Sequence, residues 1–144
     1  FFHILMVRRR EYYVCSNTCI VSTDDIIEAK AKLEGKTYND IFKDTIKEAE
    51  KLMYKHVMWS IERGDNIVWD QTNLTRNGRK QKLKMIPNSY KKVAVFFPTP
   101  HEDVLKKRLA GRPGKNIPDY VMNSMTKTIE NPSKDEGFDE IITV

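Results

Sequence analysis

The sequence predicts an α/β domain: a three-layer, doubly wound, parallel sheet of five strands. Three observations carry this. Five apolar runs have strand length, most of them continuous rather than alternating, as strands covered on both faces are. Helical patterns separate the runs from Cys19 onward. Polar or acidic residues close the second and third runs, where open α/β sheets place their ligands.

Phe2–Val7 is the first strand and Cys19–Ser22 the second. Acids open the helix expected over Asp24–Leu33, where they favour a helix N-terminus. Tyr38–Arg63 is the longest helix: Ile41, Phe42, Thr45, Ala49, Leu52, Met53, His56, Val57 and Ser60 recur at three- and four-residue steps, and Gly64 stops it. Asn66–Asp70 is the third strand. Thr75–Met85 is a short basic helix ended by Pro87. Lys92–Phe97 is the fourth strand, and Glu102–Ala110 a helix with Val104, Leu105 and Leu109 on one side. Pro118 suits the start of a helix reaching about Ile129. Glu140–Val144 is the fifth strand. Ala110–Asn116, rich in Gly and Pro, is the one stretch expected to be mobile.

The chain of 144 residues suits a single domain over 1–144. Its net charge of +5 tolerates a polyanionic partner without requiring one. Cys15 and Cys19 have no second Cys or His cluster, which argues against zinc and for reduced thiols. Phe1–Val7 is too short to span a membrane, and its basic run follows the apolar stretch, unlike a signal peptide. The expected location is the cytoplasm.

Parallel strands need a crossover of roughly a dozen residues. Arg8–Thr18 barely reaches that length, has a poor helix pattern and contains no glycine. Either a segment between Val7 and about Arg10 is missing from the sequence, or the chain reverses tightly there. The first is the expectation.

Three stretches carry chemistry. Val68–Arg76 is a strand that ends in Asp70 and turns through Thr72 and Asn73 into a basic helix. Asp70 is placed for a ligand, a Mg²⁺ shell or an arginine; equally, Asp70 and Asn73 form a turn and cap the helix. In Val21–Asp25, a carboxylate could take a proton from an attacking hydroxyl, although an ordinary N-cap explains the same residues. In Leu105–Pro118, arginines four apart share a helix face. The second sits where a lid could bring guanidinium groups to a transferring phosphoryl; a solvated basic face is the usual alternative. Arg76, Arg79, Lys80, Lys82 and Lys84 form a basic stripe that suits either a polyanion groove or bare solvation.

Thr23-Asp24-Asp25, Asp70-Gln71-Thr72-Asn73-Leu74, Lys107–Pro118 and Asp135–Ile141, in that order, resemble the P-loop 5′-kinase family typified by phage polynucleotide kinase. The resemblance runs from Cys19 onward. It implies an ATP- and Mg²⁺-dependent phosphotransferase acting on the 5′-hydroxyl of DNA or RNA, as in nucleic-acid repair, with self-association compatible. By position, Asp24 matches the acid that activates the acceptor hydroxyl. Arg112 and Arg108 match the lid arginines, with Arg112 on the donor phosphates. Asp70, Thr72, Asn73 and Arg76 fall on the acceptor side. No metal ligand is assigned. Two departures stand out: the G-x-x-x-x-G-K-[ST] phosphate loop is absent from the sequence, and Ile27 stands where the family's phage member has arginine. A small-molecule or nucleoside kinase, and an inactive nucleic-acid-binding module, are the alternatives.

Overall fold

The computed structural model describes residues 2–8, 17–111 and 116–144. The element order is β1 (Phe2–Arg8), β2 (Thr18–Val21), α1 (Thr23–Glu34), α2 (Tyr38–Arg63), β3 (Asn66–Gln71), α3 (Arg76–Met85), β4 (Tyr90–Phe96), α4 (Glu102–Ala110), α5 (Asp119–Thr128), a 3₁₀ turn (Lys134–Glu136) and β5 (Glu140–Thr143). The α/β class and the five strands are those the sequence predicts.

The strands form one sheet in the order β2-β3-β1-β4-β5. β2 runs parallel to β3, and β4 parallel to β5. β1 is the correction to the all-parallel expectation: it lies antiparallel to both neighbours, Ile4 facing Trp69 on one side and Ala94 on the other. The reason is chain length. Arg8 ends β1 at the edge where Thr18 starts β2 beside Asn66, so the link need only step past β3. An antiparallel strand needs no crossover. The crossover argument for a missing segment therefore loses its premise in this arrangement. Residues 9–16, where the rest of that expectation falls, lie outside the described residues.

The core gathers Ile4 and Met6 of β1, Val21 of β2, and Ile67 and Trp69 of β3. Met53 and Val57 of α2, Leu83 of α3, its C-cap Ile86 and Phe138 of the tail pack with them. Burial of each large apolar side chain is worth roughly 1.5–3 kcal/mol. A second cluster, Ile27, Ala31, Ile41 and Ala49, zips α1 to α2. The expectation that both sheet faces are covered fails at the rim. β3 alternates buried with half-buried residues, and Ile20 on edge strand β2 is 61% exposed.

Caps set the helix bounds. Ser22 accepts from the Asp25 N–H to start α1, Thr37 and Asp40 form a capping box on α2, and Thr75 starts α3. Gly64 closes α2 at φ 71°, a left-handed conformation that glycine adopts without penalty. Cys19 is a free thiol, while Cys15 lies outside the described residues. Among the described residues, no helix is long and apolar enough to cross a membrane.

Candidate active site

The site sits where β2 and β3 end side by side. Val21 pairs with Trp69, so the turns that follow, Ser22-Thr23-Asp24 and Asp70-Gln71, leave the same edge of the sheet. The Gln71 side-chain amide donates to Thr23 Oγ1 at 3.3 Å and ties the turns together. Asp24 and Asp70, far apart in sequence, thus share one rim.

Asp24 is half-buried in the first turn of α1, where the helix N-terminus favours a carboxylate. The Tyr38 hydroxyl donates to its Oδ1 at 2.8 Å. Burial, then the hydrogen bond to Asp24, push the Tyr38 phenol well above its usual pKa. It stays a donor throughout the neutral range. The N-cap expected within Val21–Asp25 is Ser22, and the acids follow it in the first turn.

Asp70 is half-buried at the end of β3, with His3 Nδ1 3.1 Å from its Oδ1. Reversal of β1 brings His3 to this rim, because His3 pairs with Asp70. Thr72 is exposed. Asn73 is buried at φ 46°, a left-handed position that asparagine tolerates better than most residues. Its amide donates to the carbonyls of Gln71, at 3.1 Å, and Trp69. Asn73 therefore shapes the turn, and Thr75 caps the helix.

The basic stripe of α3 divides. Arg79 is fully buried and makes a bidentate pair with Glu136, at 2.8 and 2.9 Å, while also donating to the carbonyls of Asn73 and Leu74. Burial alone would raise the Glu136 pKa; the Arg79 bonds and the Ser133 N–H overcome this and hold it below the ordinary carboxylate range. Lys82 points inward, donating to Gln71 Oε1 at 2.6 Å and to Asn73 Oδ1, with its ammonium over the Trp69 ring. Burial pulls its pKa down to about 8, against a weaker upward pull from Glu50. Neither side chain belongs to an open groove. Both cations are consumed by the carbonyl-rich turn they support. Arg76 pairs with Asp135, and its N–H bonds Glu130 at 2.6 Å. Lys80 and Lys84 are exposed.

Arg108 is exposed on α4, and Arg112 lies outside the described residues. Beyond that segment, Asn116 is hooked to the start of α2. The Asn39 amide donates to the Asn116 carbonyl at 2.9 Å, and the Asn116 N–H returns to Asn39 Oδ1 at 3.3 Å. This returns the chain after α4 to the residue next to Tyr38. Ile27, at the family's arginine position, is fully buried against α2.

The sequence signal missed two residues, His3 and Tyr38. His3 needed the direction of β1, and Tyr38 needed the packing of α2 on α1. No group of three or more potential metal ligands occurs among the described residues. The rim carries two carboxylates, an aromatic donor and an imidazole. Among the described residues it offers no phosphate cradle: the sequence has no G-x-x-x-x-G-K-[ST] run, and β1 carries its carboxyl end to the opposite edge.

A family model described as an AAA domain matches residues 6–132. No curated protein and no solved structure matches the chain.

Proposed function

Because the chain belongs to this AAA-domain family, whose members are P-loop kinase-like nucleotide-binding proteins, we propose that it is a polynucleotide 5′-hydroxyl kinase. The observation that supports this most is the shared rim of Asp24 and Asp70, joined through Thr23 and Gln71. In this reading Asp24 accepts the proton of the acceptor hydroxyl and orients its oxygen, work worth typically ~10²–10⁴-fold. Asp70 and the exposed Thr72 border the acceptor, and Arg76 screens its charge from beside Asp135. Arg108 and Arg112 belong to the segment that would meet the transferring group.

ATP with Mg²⁺ would supply the phosphoryl group. The described residues form no cradle for the triphosphate, so no donor step is derived from them. A phosphate-binding segment between Val7 and about Arg10 forms part of the proposal, and it requires β1 to point its carboxyl end at the rim, the reverse of the direction it takes here. Peptide mapping across Val7–Arg10 tests it directly.

With radiolabelled ATP, 5′-hydroxyl oligonucleotides are expected to accept label in preference to nucleosides. Asp24→Asn and Arg112→Ala each abolish or cripple transfer with the fold intact. Wild-type turnover in either variant, or preference for nucleosides, overturns the assignment. The reversed β1 and the missing glycine run favour one second reading, a module that keeps the acceptor side and binds nucleic acid without transfer. Salt-sensitive binding with no label transferred identifies that case.

A further inference from the structure

Next to the acid of the acceptor side stands an aromatic pair. Tyr38 opens α2 and Phe42 follows one turn later, so both side chains share a helix face. Their ring centroids are 5.4 Å apart, tilted by 32°. The Tyr38 hydroxyl is committed to Asp24, which fixes the ring beside that carboxylate. Phe42 is 37% exposed, although it directly follows Ile41 of the buried cluster. The charged groups of the adjoining turns of α1 are acids: Asp24, Asp25 and Glu28. The uncharged face of any base can stack on an aromatic ring.

Resting on the kinase reading of this site, we infer that Tyr38 and Phe42 form a stacking floor for the terminal base of the acceptor, so the preferred acceptor ends in a base-bearing nucleotide and not in a bare sugar. Tyr38 acts as a positioning residue that joins base recognition to the orientation of Asp24. One stacked base is worth about tenfold or more in affinity.

The test titrates the full chain into a 5′-hydroxyl oligonucleotide with 2-aminopurine at its 5′ end and a dye at its 3′ end. Anisotropy of the dye reports binding, and 2-aminopurine quenching reports stacking. Wild type is expected to bind and quench. Phe42→Ala weakens binding about tenfold and loses the quenching, Phe42→Trp restores both, and Tyr38→Phe keeps the quenching because it keeps the ring. An oligonucleotide with an abasic 5′ end binds wild type about tenfold more weakly, a comparison that needs no variant to fold. Binding without quenching, or equal affinity for abasic and base-bearing ends, overturns this inference and leaves the kinase reading standing. Failure of wild type to bind any 5′-hydroxyl oligonucleotide overturns both.

Discussion

Arg79 is the most deeply buried charged residue among the described residues. Its guanidinium joins the turn after β3 to the 3₁₀ turn before β5, two segments far apart in sequence. Removal of one partner from a buried pair leaves an uncompensated charge, at a cost of about 3–5 kcal/mol. Glu136→Gln is therefore expected to lower stability by roughly that amount, read as a reduced urea midpoint; a midpoint like that of wild type would refute the role. The same carboxylate has a pH signature. Its folded pKa is depressed, so its stabilisation is present above the ordinary carboxylate value and fades as pH falls through the folded value. Lys82 behaves in the opposite direction. Its pKa falls from 10.5 to about 8 on folding. Between those values the unfolded chain binds more protons than the folded chain, so this group makes stability rise with pH across that window. Lys82→Met is expected to flatten the slope of urea midpoint against pH between about 8 and 10.5. An unchanged slope would show that Lys82 titrates as an ordinary lysine.

At the scale of elements, β1 decides the architecture of the site. A strand in the middle of the sheet forms the most ladder contacts, and its direction settles which of its ends reaches the rim. The antiparallel register pairs Ile4 with Trp69 and Ala94, and His3 with Asp70. Backbone amide contacts by NMR should link these residues; a parallel register would shift the pairs and move His3 away from Asp70. The elements themselves were legible in the sequence. α2 matches its predicted bounds because Thr37, Asp40 and Gly64 mark both ends chemically. α3 starts one residue later than predicted because Thr75 is its cap. Strand direction was not legible, because an apolar run of strand length reads the same in either direction.

For the whole molecule, the basic stripe of α3 offers a polyanion less than its sequence suggests. Of the α3 stripe, Arg79 and Lys82 face inward and Arg76 is paired with Asp135, which leaves Lys80 and Lys84 exposed. Each phosphate contact on a single strand contributes about 0.7 to the slope of log affinity against log salt. If α3 lines the bound strand, Lys80→Ala and Lys84→Ala each reduce that slope by about this amount in titrations of a 5′-hydroxyl oligonucleotide. Unchanged slopes would place the strand elsewhere.

The amino-acid order by itself determined the α/β class, the helix bounds and the two strand-end acids, because periodicity, caps and turn chemistry are local and are written in neighbouring residues. Tertiary structure alone decided that β1 runs backwards, that Arg79 and Lys82 are struts and not a groove, and that Tyr38 holds Asp24. Each of these depends on which distant segments pack together, and a basic or aromatic side chain has the same letter whether it meets water, a carboxylate or a carbonyl.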